Sequence, residues 1–192
     1  GTLYSYSGAY VGVDALVSGE GYWLHFPDAG TTTITGAPIS SLTVSLTAGW
    51  NLFSGISEVT NVADISDPGG IIILGTCYGF NETYVNASVL TPGHGYWVNA
   101  SANGDITISS GGAAKTRSAF TDRTVKANKL SFNGNDLYFG VSIPEEEMLS
   151  YQLPPKPPEG AFDVRFADNM KVAENSGTIE IMNNTDKLTI SC

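Results

Sequence analysis

The chain has 192 residues, of which 42% are apolar and 15% are charged, and this balance excludes an intrinsically disordered chain. The net charge of −10 argues against nucleic acid as a partner, because proteins bind phosphates through Lys and Arg. Residues 1–110 contain eight acids and no Lys or Arg, whereas residues 111–192 hold all nine basic residues. This shift, at a Gly- and Ala-rich stretch, predicts a linker at residues 111–117.

The first part of the chain contains an internal repeat. Residues 16–26 read LVSGEGYWLHF, and residues 90–100, which lie 74 positions later, read LTPGHGYWVNA. The offset holds without a gap from residue 1 to residue 34. A repeat this regular indicates an architectural unit. It divides the chain into the ranges that we expect as domains: a partial first module at 1–36, a second module at 37–110 and a C-terminal β domain at 118–192.

Short β-favouring runs separated by glycine predict antiparallel strands, and no window shows the period of an amphipathic helix. Residues 31–35 form a β-branched run that predicts a strand. Residues 42–46 alternate apolar and polar side chains, as does a strand with one face on a core. Residues 62–66 favour one short helical turn, and residues 71–74 predict a buried strand.

In the last third, residues 178–182 and 188–190 predict two strands, with residues 183–186 as the hairpin turn between them. Asp163 lies inside an apolar stretch, where we expect it to pair with Arg165 or to cap a turn. The fold class that we predict is all-β: tandem antiparallel β-sandwich-like modules followed by a C-terminal β domain.

Several segments carry a resemblance to a known kind of protein. The GWN at residues 49–51, followed by the LTPGHGYW at residues 90–97, resembles the tandem modules of large secreted bacterial cell-surface proteins, among them proteins of the type IX route. The segments YQLPPKPP and GAFDVRF, at residues 151–158 and 160–166, resemble the stretch that follows those modules. The resemblance implies an extracellular or cell-surface location and a non-catalytic structural or adhesion role, through self-association or neighbouring modules of the same protein.

The first copy of the repeat has no GWN strand upstream of it. Residues 1–36 therefore pair either with residues 37–60 or with a strand from a neighbouring subunit, and the second option would build a fibre by strand addition. Because Gly1 stands at a repeat boundary, we also expect a processed product or an excised fragment. No apolar stretch is long enough to span a membrane.

The repeated aromatic residues have two interpretations. Trp23, Trp97, Tyr22 and Tyr96 offer flat rings that stack on sugars, which would make the chain a carbohydrate-binding module appended to a secreted enzyme, with polysaccharide as its partner. Alternatively, each tryptophan fills the core of its own module. The tryptophan recurs at the same position of each copy, which favours this second interpretation, because every copy of a repeat needs the same core.

The remaining chemistry is sparse, and we expect no catalytic residue and no cofactor. No pair of acidic residues that could serve as catalytic carboxylates is repeated at the offset of 74. The two histidines, His25 and His94, lie at non-equivalent positions of the repeat. Calcium is the more plausible ion, with oxygen ligands in residues 64–67 and 133–136.

Cys77 and Cys192 either form one long-range disulfide or remain a buried thiol and a thiol near the chain end. Glycosylation sequons stand at Asn81, Asn86, Asn99 and Asn183.

Overall fold

A computed structural model describes residues 2–26, 28, 31, 33, 35–111, 120–183 and 187–192. The described chain is mostly β-strand in small, largely antiparallel sheets, which confirms the all-β prediction. The strand expected at 31–35, the linker and the turn at 183–186 lie partly or wholly outside the described residues. Within those residues, every helix is too short or too polar to cross a bilayer.

Contacts divide the chain into two compact units. The first unit contains Gly1–Ile72, Cys77–Gly79 and Asn86–Ser118, and the second contains Ile73–Thr76, Phe80–Val85 and Ala119–Cys192. The strands of residues 1–110 are β1 (Thr2–Tyr6), β2 (Tyr10–Val13), β3 (Trp23–His25), β4 (Ser41–Leu46), β5 (Gly49–Ser54), β6 (Thr60–Asn61), β7 (Tyr78–Asn81), β8 (Thr83–Asn86), β9 (Val89–Leu90), β10 (Gly95–Ala100) and β11 (Gly104–Ser109).

The strands of residues 1–110 form several small sheets. One sheet has the strand order β2–β1–β3, the next has the order β5–β10–β7–β8, and β4 pairs with β11 in a third. The two copies of the repeat have the same pairing, since Tyr4 lies opposite Trp23 in the first and Tyr78 lies opposite Trp97 in the second. β10 is covered on both faces, so Tyr96, Trp97 and the three residues after them are all buried.

The aliphatic core of the first unit lies between β10 and the β4–β11 sheet. Strand β4 alternates as its sequence predicts, with Leu46 buried and Thr43 exposed. The buried residues of this core are Leu46, Phe53, Ile56, Ile65, Ile71, Cys77, Leu90, Tyr96, Val98, Ala100, Ile106 and Ile108. The expected helical turn is present as a 3₁₀ helix at Val62–Asp64.

The strands after residue 120 are β12 (Asn128–Phe132), β13 (Asn135–Phe139), β14 (Asp163–Phe166), β15 (Val172–Ala173), β16 (Ile179–Met182) and β17 (Ile190–Ser191), all in the second unit. They form a sheet of order β15–β13–β12–β17 and a separate β14–β16 pair. Three short 3₁₀ helices, at Arg123–Lys126, Glu145–Tyr151 and Ala167–Asn169, connect them.

Two of the predicted strand features are wrong. Of residues 71–74, only Ile72 pairs, in an isolated bridge with Ala100, so this run is not a strand. Strands β16 and β17 do not form a hairpin with each other, because β16 pairs with β14 and β17 pairs with β12. Both errors concern long-range pairing, which a local pattern does not specify.

Candidate functional site

The repeated aromatic residues meet in one layer of the first unit. The Tyr6 and Tyr10 rings lie 4.8 and 6.5 Å from the Trp97 ring, measured between centroids. Tyr10 also lies 6.4 Å from Trp23, and Trp50 lies 6.4 Å from Trp97. The prediction that each tryptophan fills a separate core is therefore wrong, because the rings of both copies share one aromatic layer. Trp97 is 2% exposed, so no open platform for a sugar ring exists there.

Tyr22 and Tyr96 are equivalent positions of the repeat and have the same structural role. The Tyr22 hydroxyl accepts the backbone N–H of Val17 at 2.9 Å, and the Tyr96 hydroxyl accepts that of Thr91 at 2.7 Å. The Tyr22 hydroxyl also donates to Glu20 Oε2 at 2.8 Å. Burial first, and then the hydrogen bond to Glu20, raise the pKa of Tyr22. Each motif tyrosine thus holds the turn that precedes its own strand.

The GWN motif forms a corner between two sheets. Asn51 Oδ1 accepts the backbone N–H of Thr47 at 2.9 Å, and Asn51 Nδ2 donates to the carbonyl oxygens of Thr47 and Gly49. Gly49 has a φ of +98°, a backbone conformation that glycine adopts at low cost. This corner sends the chain from β4 into β5, which belongs to a different sheet.

A groove lies beside this corner, between the first copy of the repeat and strands β4 and β5. Gly21 N–H donates to the Leu52 carbonyl at 3.1 Å and Ser54 N–H donates to the Gly19 carbonyl at 3.0 Å, which joins the two walls. Of the two pairings considered for residues 1–36, the one with residues 37–60 is thus present. The cavity, of about 510 Å³, is lined by Ser5, Tyr6, Ser7, Gly8, Val17, Ser18, Gly19, Glu20, Gly21, Thr43, Val44, Ser45, Leu46, Thr47, Trp50, Asn51, Leu52 and Phe53.

The groove has the size of a small-molecule or peptide site. Three aromatic rings and many hydroxyl groups line it, and Glu20 is the one charged residue among the described lining residues. It therefore suits neutral or positively charged partners. Sequence reasoning missed this site, because only the tertiary packing places residues 5–8 and 17–21 beside β4.

The outer face of the β2–β1–β3 sheet is apolar and uncovered by the described residues. Leu3 lies opposite both Val13 and Leu24, so these three side chains point to the same side, away from the aromatic layer. Val11, two residues before Val13, has the same orientation. Val11 and Leu24 are 50% and 48% exposed, and Phe26, beyond the end of β3, is 57% exposed. These five residues are called the outer face below.

Three of the five residues of the outer face have buried counterparts in the second copy, whereas Val85, the counterpart of Val11, is 48% exposed. Leu24 corresponds to Val98, which is 1% exposed, and Phe26 corresponds to Ala100, which is 2% exposed. In the second copy, the β4–β11 sheet covers this side. The strand alternation in the sequence is enough to identify the face, but it does not tell whether the face is covered.

The four predicted glycosylation sites differ in accessibility. Asn81, Asn86 and Asn183 are exposed in the structure. Asn99 is 4% exposed and lies in β10, opposite Trp50, so the prediction of a glycan there is wrong. A bulky sugar cannot be attached to a side chain inside the aromatic layer.

The cysteines and the proposed ion-binding loops have local structural roles. Both thiols are free, with Cys77 buried and Cys192 exposed. Burial raises the pKa of the Cys77 thiol to about 12.

In the two loops considered for calcium, the oxygen atoms hold the backbone. The Asp67 carboxylate accepts the backbone N–H groups of Ile71 and Ile72, and Asn133 Oδ1 accepts that of Thr189. Within the described residues, no group of three or more His, Cys, Asp or Glu side chains is placed to hold a metal ion.

The second unit contains a buried ion pair. Arg165, 0% exposed, donates through Nε and Nη2 to the two carboxylate oxygens of Asp163 at 2.6 and 2.7 Å. The predicted pairing of these residues is therefore confirmed. Arg165 Nη1 donates to the Pro154 carbonyl and to Asn169 Oδ1. The guanidinium group thus ties the proline-rich segment to β14.

Comparisons of the chain with protein-family models, with curated proteins and with solved structures gave no match. The candidate functional surfaces are the groove beside β4 and the outer face. Both belong to the first unit, and neither contains a Lys or Arg residue. The motif residues Trp97, Tyr22 and Tyr96 serve the fold.

Proposed function

We propose that this chain is a non-catalytic structural or adhesion module of an extracellular or cell-surface protein. It acts by contact with other protein surfaces, through self-association or with neighbouring modules of the same protein. The observation that carries the proposal is the outer face, in which Leu24 and Phe26 are about half exposed whereas their counterparts in the second copy are buried. A contiguous exposed apolar surface on a folded domain marks an interaction site.

The roles of the motif residues support the same proposal. The rings of the two copies pack against each other, and the tyrosine hydroxyls hold turns, so the repeated positions stabilise a scaffold. The resemblance to modules of secreted bacterial surface proteins favours the extracellular location. The exposed sequon residues Asn81 and Asn86 are compatible with it. Assembly into fibres by strand addition is the more specific form of this proposal.

Sedimentation velocity over a range of concentrations tests the proposal. We expect the chain to associate reversibly and Leu24→Lys to abolish the association, because a charge in the outer face opposes its burial. Val125→Lys is the control, since Val125 is 83% exposed and lies outside this face. A wild-type chain that stays monomeric and does not bind its neighbouring modules would contradict the proposal.

A second candidate function is carbohydrate binding, as a module appended to a secreted enzyme. The groove favours it, because the rings of Tyr6 and Trp50 line the cavity together with hydroxyl and carboxylate groups. This candidate predicts that soluble polysaccharides change the tryptophan fluorescence and that Trp50→Ala removes the change while the chain stays folded. Unchanged fluorescence with a panel of neutral and basic polysaccharides would reject it.

A further inference from the structure

We propose that the outer edge of strand β4, where it borders the groove, accepts the C-terminal strand of a second copy of this chain, residues 187–192. The inference rests on the proposed function, since it names the site and the partner of the assembly. The contact is backbone pairing, in which an extended segment adds to the edge of a sheet.

The unpaired edge of β4 follows from the hydrogen bonds of its neighbour. In β11, Thr107 exchanges both of its backbone hydrogen bonds with Ser66, at 2.8 Å each. Its N–H and C=O therefore point away from β4. Thr43 lies opposite Thr107, so this is a non-hydrogen-bonded pair, and the N–H and C=O of Thr43 point away from β11. Because backbone N–H and C=O groups alternate in direction along a strand, the N–H and C=O of Ser45 also point away from β11.

Among the described residues, β4 pairs with β11 alone, so this edge is a template for another strand. The space beside it is the cavity of about 510 Å³, which residues 43–47 line along one wall. Segment 17–21, on the other wall, hydrogen-bonds to β5, and among the described residues no backbone hydrogen bond joins it to β4. The groove thus combines free backbone groups with room for an extended chain.

The C-terminal strand fits this sheet by its sequence. Residues 188–191 read LTIS, while residues 42–45 of β4 read LTVS and residues 106–109 of β11 read ITIS. The alternation would place Leu188 and Ile190 on the core side and the hydroxyl residues on the outside.

This segment also lies at an accessible position in its own unit. Strand β17 is the last strand of its sheet and pairs with β12 through Ile190 and Ser191. Thr189 exchanges two hydrogen bonds with Asn133 and Leu188 packs against the core, so transfer to another copy breaks these contacts. Ile190 is 54% exposed. Because the donor strand and the acceptor edge are different surfaces of the same chain, the contact is heterologous and repeats from copy to copy. It would produce an open chain of subunits.

The test uses a fluorescent peptide of residues 187–191, attached through a flexible spacer, and the dilute full-length chain. We expect saturable binding by fluorescence anisotropy, and no binding of a peptide in which the same residues are reordered. Thr43→Pro removes one outward N–H at an edge position that tolerates proline, and we expect it to weaken binding about tenfold. Thr43→Val keeps that N–H and is the matched control.

Amide hydrogen exchange supplies a second readout that does not depend on a variant. The backbone amides of Thr43 and Ser45 are expected to become protected when the peptide binds. A chain that associates but neither binds the peptide nor protects these amides retains the proposed function and overturns this inference. A chain that binds the peptide but stays monomeric supports the edge site and rejects the assembly. Equal binding by a folded Thr43→Pro variant also overturns the inference.

Discussion

The ring of Tyr6 meets the ring of Trp97 edge-on, with 4.8 Å between their centroids. Tyr6 belongs to the first copy of the repeat and Trp97 to the second, so this contact joins the two copies. The aromatic face of each copy is thus directed toward the other copy. On the opposite face, Val98 and Ala100 are buried in the second copy, whereas their counterparts Leu24 and Phe26 are exposed in the first. One internal repeat therefore supplies both a core layer and an exposed apolar surface.

The first prediction concerns the centre of the aromatic layer. Trp97→Ala removes a ring that is 2% exposed, and we expect it to lower the free energy of unfolding by about 3–5 kcal/mol. Urea denaturation followed by circular dichroism measures the change. Val125→Ala, at an exposed position, is expected to have little effect. A folded Trp97→Ala chain of unchanged stability would mean that the indole does not support the core.

The second prediction compares two glycines of the first copy. A Cβ at position 21 would lie 2.6 Å from the Phe53 carbonyl oxygen, whereas one at position 12 would have no neighbour within 4 Å. We therefore expect Gly21→Ala to destabilise the first unit and Gly12→Ala to be neutral or slightly stabilising. Thermal unfolding of both variants gives the comparison. Equal melting temperatures would show that segment 19–21 does not pack against β5.

The sequence predicts local features of this fold and misses the long-range ones. The alternation in residues 42–46 predicts one buried face, and the i, i+2 spacing puts Asp163 and Arg165 on the same side of a strand. The same pattern does not say which sheet covers a face. For that reason Asn99 was expected to be accessible, although β10 is covered on both sides. The groove was missed because its walls come from segments distant in the sequence.

The third prediction concerns the buried ion pair. Arg165→Met leaves the Asp163 carboxylate without its partner inside the second unit, and loss of one member of such a pair costs about 3–5 kcal/mol. We expect a large fall in the urea midpoint. The double variant Asp163→Leu/Arg165→Met should recover part of this loss, because it removes the unpaired charge. Lys156→Ala, which breaks the exposed pair with Glu180, is the control and should change the midpoint little.

The fourth prediction concerns the two thiols. Burial raises the pKa of Cys77 to about 12, so this residue stays a neutral thiol at pH 8, whereas Cys192 is exposed. We expect a thiol reagent to label one cysteine of the native chain quickly and the second only after denaturation. Cys192→Ser should remove the fast phase.

The same shift gives a pH dependence. Because the folded pKa of Cys77 exceeds the unfolded one, stability from the neutral thiol is complete below about pH 9 and is lost as the pH rises toward about 12. Cys77→Ala should reduce the fall in the free energy of unfolding at alkaline pH. Urea titrations at several pH values measure this fall. Rapid labelling of both thiols at neutral pH in the native chain would contradict the burial of Cys77 and with it this pH dependence.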